Sequence, residues 1–315
     1  MIPRYTRWTA AIVAVLSLSL LFAAVQAAEK APGGWGAGQP KKILYFTKCS
    51  GFVHSVVQRP QDGSLSHSEK ILTELGAKHG FEVTCSKDGR DITKENLAKY
   101  DVFCFYTSGM LTEEGTDKNP PMSLEGKAAL LAAVKNGKGF VCIHAGNDSF
   151  HLPSTNPGDG FVAHGDKADP YIKMTGGEFI KHGPQQVAKN TVVDGKFPGC
   201  EGLGESFEAM EEWYTFKDFT PDLHVILVQE TKGMNGLDYQ RAPYPATWAR
   251  KEGKGRVFYT SLGHREDIWT NPRFQSVLLG GLGWAAGKVD ADVKPNLGKA
   301  TPGYREIQPQ DEKKK

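Results

Sequence analysis

The order of apolar and polar positions predicts a protein in which strands alternate with helices. Apolar runs of strand length occur at residues 41–47, 81–86, 101–108 and 139–144, and again at 224–229, 244–250 and 255–262. Amphipathic segments predict helices at residues 66–80, 93–100, 123–138 and 271–287. Apolar strands that alternate with helices are typical of a mostly parallel sheet covered on both faces, which places the chain in the α/β class.

The two ends of the chain differ in composition from this region. Residues 1–28 begin with two arginines, continue with an apolar run and end in small residues, which is typical of a secretory signal peptide. We therefore expect a periplasmic or secreted protein with no membrane span after cleavage, the alternative being an uncleaved anchor. Residues 29–40 predict a Gly/Pro linker and residues 288–315 a polar tail. The domain spans residues 41–287, with a loop-rich insertion at about 150–220.

Charge and cysteine content exclude some classes of function. The 38 basic and 36 acidic residues give a formal net charge of +2, which provides no electrostatic basis for nucleic-acid binding. Five cysteines show no disulfide framework, and the absence of a C-x-x-C motif leaves a thiolate zinc site without support. Whether Cys49, Cys85 or Cys200 forms a disulfide, and whether the chain forms a homo-oligomer, stays open.

Histidines follow three of the predicted strands. His54 comes after the first strand, His144 directly after the fourth and His264 after the last. Because ligands of open parallel sheets bind beyond the carboxyl ends of the strands, we expect these imidazoles to converge there. Asp148 follows His144 in the same loop.

A carboxylate joins this set in the segment EEWY, residues 211–214. If the segment is extended, Glu212 and Tyr214 point to one side while Trp213 packs behind, and Glu211 is expected to be solvated. Three imidazoles and one carboxylate suit a zinc-like divalent cation, with His54, His144 and His264 as ligands. The same groups suit metal-free acid–base catalysis by His144, His264 and Glu212. No H-E-x-x-H motif occurs, so a helix-borne zinc hydrolase is not indicated.

Several motifs in order carry a resemblance to a known family. They are GFVHS, GKGFVCIHAGNDSF, GGEFIKHGPQQ, EEWY, PATWARKEGKGRVFYTSLGH and GLGWAAG. Together they resemble the ThuA-like, or trehalose-utilisation, family over residues 41–287. The resemblance implies a class I glutamine amidotransferase-like fold, which is a flavodoxin-like three-layer sandwich with a mostly parallel central sheet.

The comparison with amidotransferases also indicates which reaction this chain is not suited to catalyse. Those enzymes carry a nucleophilic cysteine in a G-I-C-x-G turn, whereas this chain has His144 at that position, and Cys142 lies two residues upstream inside the strand. The H-x-E motif of those enzymes corresponds to His264-Arg265-Glu266. Imidazole moves protons or binds metal more readily than it forms a thioester, so glutaminase activity through Cys142 or Cys49 is disfavoured.

The resemblance further implies a small-molecule carbohydrate as partner. We expect an enzyme, a hydrolase, lyase or isomerase, that acts on a trehalose-like sugar or a 3-keto-sugar. Its substrate would contact Asp148, Tyr214, Arg265 and Phe150. Other aromatic residues suited to stacking on sugar rings are Phe52, Trp213 and Trp269. The alternative is a non-catalytic carbohydrate-binding protein that kept the fold and lost the nucleophile.

Overall fold

The predicted alternation of strands and helices is present in the structure. The computed structural model describes residues 32–36, 38–151 and 159–307, so the predicted signal peptide lies outside the described residues. The strands are β1 Lys41–Phe46, β2 Phe81–Ser86, β3 Val102–Phe105, β4 Gly139–Ile143, β5 Glu178–His182, β6 Gln186–Val192, β7 Ser206–Glu211, β8 Tyr214–Lys217, β9 His224–Gln229, β10 Tyr244–Glu252 and β11 Gly255–Thr260. The helices are α1 His67–His79, α2 Lys94–Leu97, α3 Leu124–Lys135, α4 Pro170–Thr175, α5 Glu266–Trp269, α6 Pro272–Ala285 and α7 Leu297–Ala300.

The main sheet has nine strands in the order β2-β1-β3-β4-β11-β10-β9-β6-β7. The first five are parallel, and the last four continue the sheet with antiparallel pairs. Only β10 and β6 run against the others, so seven of the nine strands share one direction. The carboxyl ends of β1, β3, β4 and β11 therefore meet at one edge of the sheet.

Helices cover both faces of this sheet. On one face, Tyr171 of α4 packs on Phe140 of β4, with ring centroids 5.8 Å apart. On the other face, α6 lies so close to β11 that a Cβ on Gly281 would be 2.6 Å from the Phe258 ring. Phe258 follows Val257, the register partner of Phe140, and successive strand residues point to opposite faces. The result is the expected flavodoxin-like three-layer α/β sandwich.

The sequence determines where helix α1 begins and ends. Ser66 caps α1 by accepting the backbone N–H of Glu69, whose carboxylate accepts the N–H of Ser66 in return. The helix ends at Gly80, which has the positive φ of 83° that glycine adopts without strain. Glu69 also accepts hydrogen bonds from Arg59 and Thr47, so the cap ties α1 to the end of β1.

The region expected to be loop-rich contains more regular structure than its composition indicated. Strands β5, β6, β7 and β8 and helix α4 lie between residues 159 and 220. Two of these strands, β6 and β7, extend the main sheet, while β5 and β8 form a separate antiparallel pair. Glycine and polar residues are common here because these strands end in tight turns.

The segments flanking the predicted domain also pack onto it where they are described. Trp35, placed in the predicted linker, is 6% exposed and donates a hydrogen bond from Nε1 to Leu279 O at 3.1 Å. Tyr304, placed in the predicted polar tail, is buried, and its carbonyl accepts a hydrogen bond from Arg241. Residues 32–36 and 289–307 therefore belong to the same compact unit as the predicted domain.

Two further points concern the described residues alone. None of their helices combines the length and the apolar character that crossing a bilayer requires. All five cysteines, including Cys49, Cys85 and Cys200, are free thiols.

Candidate active site

Four side chains from separate segments meet at the edge formed by the carboxyl ends of the parallel strands. His54 lies in the loop after β1, His144 follows β4, His264 follows β11, and Glu212 lies between β7 and β8. One ligand atom from each lies within 4.8 Å of the others. The structure thus brings together the three imidazoles and the carboxylate that the sequence singled out.

His144 occupies a strained turn at the end of β4. Its φ is 45°, a left-handed value that is uncommon for a residue with a side chain. The turn is stabilised by Tyr259, which donates from its hydroxyl to the His144 carbonyl at 3.0 Å. Gly146 permits the close return of the chain, since a Cβ there would lie 2.3 Å from Cys142 Sγ. A strained residue held in this way is typical of a functional position.

The three imidazoles converge on a single carboxylate oxygen. Glu212 Oε2 lies 3.1 Å from His264 Nδ1, 3.6 Å from His144 Nε2 and 4.0 Å from His54 Nε2. The other oxygen, Oε1, lies 3.3 Å from Nδ1 of His182. His182 at the end of β5 is the most exposed of these rings, with 43% of its side chain accessible.

Hydrogen bonds determine the tautomers of His144 and His264, that is, which ring nitrogen carries the hydrogen and which has the lone pair. His144 Nδ1 lies 2.7 Å from the carbonyl oxygen of Ser261, which can only accept, so Nδ1 carries the hydrogen and Nε2 is free to bind. Gln185 accepts from Arg265 and therefore presents its NH₂ group to His264 Nε2. His264 Nδ1–H then faces Glu212 and His144 Nε2, 3.3 Å away.

Burial and mutual proximity shift the titration of this cluster. Burial, together with the neighbouring imidazoles, lowers the pKa of His54 to about 2. Burial also lowers the pKa of His144. Burial acts to raise the pKa of Glu212, but the neighbouring His144 and His264 imidazoles outweigh it and hold that pKa well below the usual range. Burial acts to lower the pKa of His264, but Glu212 more than offsets this effect and raises it. Glu212 is therefore the anionic centre of the site.

Glu211 supports the cluster from behind, contrary to the expectation that it is solvated. It has no exposed surface, and Oε2 accepts the backbone N–H groups of Gly263 at 2.9 Å and His264 at 3.3 Å. Its other oxygen accepts the N–H of Glu212 at 3.0 Å. Burial raises the pKa of Glu211 to about 7. The carboxylate thus joins the loop of His264 to the segment of Glu212, a role that the sequence pattern did not indicate.

The donor set fits a divalent cation of the zinc type. Three imidazole nitrogens and one carboxylate oxygen are ligands that zinc prefers, and their spread of 4.8 Å is compatible with contacts to one ion after small side-chain adjustments. His144 already has the tautomer that a metal ligand requires. His264 would have to release its Nδ1 proton to act as a ligand through that nitrogen.

The residues predicted to contact the substrate lie at different positions relative to the histidine cluster. The Tyr214 hydroxyl lies 3.2 Å from His54 Nε2, directly at the cluster. Arg265 follows His264 and is partly exposed, with hydrogen bonds to Gln185 and Asp267. The Asp148 carboxylate lies 3.6 Å from His151 Nε2, and burial raises its pKa to about 7.

Most of the aromatic residues expected to stack on sugars are core residues instead. Phe150, Trp213 and Trp269 have no exposed surface. Phe150 packs on Tyr171, with the ammonium of Lys127 lying 3.8 Å from its ring centroid. The structure therefore does not place Phe150 where a ligand could stack on it. The exception is Phe52, which is 68% exposed beside His54.

Within the H-x-E motif, the carboxylate and the histidine do not pair with each other. The carboxylate of Glu266 accepts a hydrogen bond from Ser55, whereas the carboxylate hydrogen-bonded to the His264 ring is Glu212. Cys142 is fully buried, which raises the pKa of its thiol, and it donates a hydrogen bond to Asn147. A thiolate nucleophile is therefore not available at this turn, in agreement with the sequence analysis.

A second group, formed by His164, Glu178 and Asp218, also brings potential ligand atoms together. Here the carboxylates already have hydrogen-bond donors and a cation beside them. Asp218 accepts the backbone N–H groups of His164 and Gly165, His164 Nδ1 lies 2.9 Å from Glu178, and the Lys217 ammonium lies 3.7 Å from Glu178. An ammonium group beside the carboxylate opposes a divalent cation, so we interpret this group as a structural ion-pair network.

The fold and the site together define a flavodoxin-like three-layer α/β protein with a histidine at the strand-to-turn position after β4. The chain belongs to the ThuA family, described as trehalose utilisation, whose model matches residues 42–285. No curated protein matches it in sequence.

Solved structures agree with this family. A putative ThuA-like protein from Bacteroides uniformis is similar with a TM-score of 0.56 and 18% identity, covering 79% of this chain and 93% of that one. A second, from Parabacteroides merdae, has a TM-score of 0.52 and 20% identity, covering 81% of this chain and 93% of that one. At this identity the likeness concerns the fold.

Proposed function

We propose that this protein is an enzyme that acts on a sugar or glycoside, such as trehalose or its 3-keto form, by metal-assisted or histidine acid–base chemistry. The observation that carries the proposal is the convergence of His54, His144, His264 and Glu212 within 4.8 Å at the sheet edge. The family description, trehalose utilisation, supports the substrate class.

The proposed roles follow from the donor set. A divalent cation held by the three histidines and Glu212 would polarise a carbonyl or hydroxyl oxygen of the sugar. His182, exposed beside Glu212, is positioned to take or give a proton at the open side. Arg265, Tyr214 and Asp148 would orient the substrate. In the absence of a cation, His264 and His144 would exchange protons with the substrate while Glu212 stabilises the imidazolium.

A carbonyl group on the sugar would give a site of imidazoles a proton that they can remove. The C–H bond next to a carbonyl is acidic enough for an imidazole to remove its proton. Hydrolysis, elimination and isomerisation of a keto-sugar can each begin with this step. A simple glycoside lacks this activation and would need stronger acid assistance at the glycosidic oxygen.

The test compares zinc-loaded protein with EDTA-treated protein on trehalose, 3-keto-trehalose and related disaccharides, with products separated by chromatography. We expect turnover that falls by about 100-fold in Glu212→Gln and His144→Ala. His79→Ala, which removes an imidazole at the far end of α1, is the matched control and should be unchanged. Saturable sugar binding without turnover in the zinc-loaded protein would overturn the enzyme proposal in favour of a carbohydrate-binding protein, and no binding at all would overturn both.

We also propose that the protein is exported and that residues 1–28 are removed. The basic start, apolar run and small residues of this segment support the proposal. Expression of the full chain in a bacterial host should yield a periplasmic protein whose N-terminal sequence begins after Ala27 or Ala28. A full-length chain in the membrane fraction would indicate an uncleaved anchor instead.

A further inference from the structure

Phe52 is an exposed aromatic ring at the lip of the histidine cluster. It is 68% exposed, and in the described part of the chain no other phenylalanine, tyrosine or tryptophan is exposed. Its ring centroid lies 4.9 Å from that of His54, and the two ring planes are nearly perpendicular at 84°. The one exposed ring of these three residue types therefore lies against a side chain of the cluster.

The exposure does not arise from a loosely held loop. The backbone N–H groups of Ser50 and Gly51 donate to Ser108 O at 2.8 and 3.1 Å, and the Ser108 hydroxyl donates to Phe52 O at 2.7 Å. The segments of Gly51 and Gly109 approach each other so closely that a Cβ on Gly109, whose φ is 73°, would lie 2.4 Å from Gly51 N. The backbone that carries the Phe52 side chain is thus held in place.

The core does not account for this ring either. Tyr214, Trp269 and Trp213 fill the space behind the cluster and are nearly or fully buried. Phe52 contributes little to that packing, so most of its apolar area stays in water unless a ligand covers it. A pyranose ring has a face of C–H groups that would cover it, whereas an open-chain polyol presents no such flat face.

We propose that Phe52 is the stacking platform of this site and that it selects cyclic sugars over open-chain polyols. This inference rests on the proposed carbohydrate function and adds a residue that determines specificity. Phe52 is a substrate-contacting residue in this assignment, and the metal ligands are not affected by its removal.

The test is isothermal titration of zinc-loaded protein with trehalose, 3-keto-trehalose and sorbitol. We expect Phe52→Ala to weaken disaccharide binding by about tenfold, equivalent to about 1.4 kcal/mol. Phe52→Trp should retain binding, and zinc affinity should be the same in all variants. Leu124→Ala, which truncates an equally exposed apolar side chain at the start of α3, is the matched control and should bind like the wild type.

Fluorescence gives an independent measurement of stacking. In Phe52→Trp the new indole would be the only exposed tryptophan in the described residues, because Trp35, Trp213, Trp248, Trp269 and Trp284 are buried. We expect its emission to shift on addition of the disaccharide and not on addition of sorbitol.

The outcomes separate this inference from the function on which it rests. Wild-type sugar binding that is unchanged in Phe52→Ala would overturn the stacking platform and leave the proposed function intact. Loss of zinc affinity in Phe52→Ala would also overturn it, because the ring would then support His54 rather than the ligand. If wild-type protein binds none of the sugars, both proposals are wrong.

Discussion

The Nδ1 atom of His144 lies 2.7 Å from the carbonyl oxygen of Ser261. Because that oxygen can only accept, the imidazole has its hydrogen on Nδ1 and presents the Nε2 lone pair to Glu212 and His264. Ser261 follows β11 and His144 follows β4, so two neighbouring parallel strands hold the His144 ring in a defined tautomer. This relationship fixes the orientation of His144 within the cluster.

The first prediction concerns that tautomer. Nitrogen NMR of the imidazole at neutral pH should show His144 as a neutral ring with its proton on Nδ1, since burial lowers its pKa. Addition of zinc should change the Nε2 resonance and leave the Nδ1 proton in place. The signals are assigned by their loss in His144→Ala. A proton on Nε2 in the zinc-free protein would contradict the assignment.

The second prediction concerns Glu211. Its carboxylate accepts three backbone N–H groups, and glutamine has only one acceptor oxygen and adds an NH₂ donor. We expect Glu211→Gln to lower the free energy of unfolding by about 1–3 kcal/mol. It should also weaken zinc binding by about tenfold, because Gly263 and His264 are no longer held in place. Denaturant unfolding and zinc titration measure the two effects, and unchanged values of both would show that Glu211 does not position the loop.

The third prediction contrasts two glycines. In Gly146→Ala the new methyl group would lie 2.3 Å from the buried Cys142 Sγ and 3.2 Å from Phe105 O, so the turn that carries His144 must shift. We expect a loss of about 1–3 kcal/mol in unfolding free energy, together with weaker zinc binding. In Gly298→Ala no atom lies within 4 Å of the new methyl group, and α7 should become more stable by up to about 1 kcal/mol. Equal effects of the two substitutions would contradict the steric explanation.

The fourth prediction concerns pH and the cap of α1. Burial acts to raise the pKa of Glu69, but hydrogen bonds from Arg59 and Ser66 outweigh it and lower that pKa. A lowered pKa stabilises the fold above the unfolded-state value of about 4.3, and this stability is lost as the pH falls through the folded-state value. Glu69→Gln should therefore cost about 1.5–3 kcal/mol at pH 7.

The same substitution should cost progressively less as the pH falls below the unfolded-state value of about 4.3, and least below the folded-state pKa, where the folded carboxylate is protonated too. Denaturant unfolding across pH measures the difference between the two proteins. Glu82→Gln is the control, because Glu82 forms only an exposed pair with Lys42, 3.9 Å apart, and its loss should have little effect. A constant difference across the pH range would contradict the role of the Glu69 charge.

The local elements could be predicted from the sequence because their signals are local. Strands β1, β3 and β4 are apolar runs in the sequence because both of their faces are covered. Helix α1 begins after its N-cap Ser66 and ends at Gly80. The six motifs taken together, which include those around His144 and His264, were sufficient to indicate the family. The position of each histidine after a strand predicted that the rings would meet, because parallel strands end at a common edge.

The tertiary structure decided which side chains take part in the site. Glu211 and Glu212 are neighbours of the same type, and only the packing of β7 against the His264 loop shows that one supports the backbone and the other faces the imidazoles. Likewise Phe150 and Phe52 are both phenylalanines in loops after strands, yet Phe150 is buried and Phe52 is exposed. For the same reason, the carboxylate beside the His264 ring is that of Glu212 and not that of Glu266 in the H-x-E motif. The sequence by itself determined the elements and their order, because these depend on side-chain periodicity along the chain. The partners of each charged and aromatic group were decided by contacts between residues distant in sequence, because burial and electrostatic energies depend on distances in space.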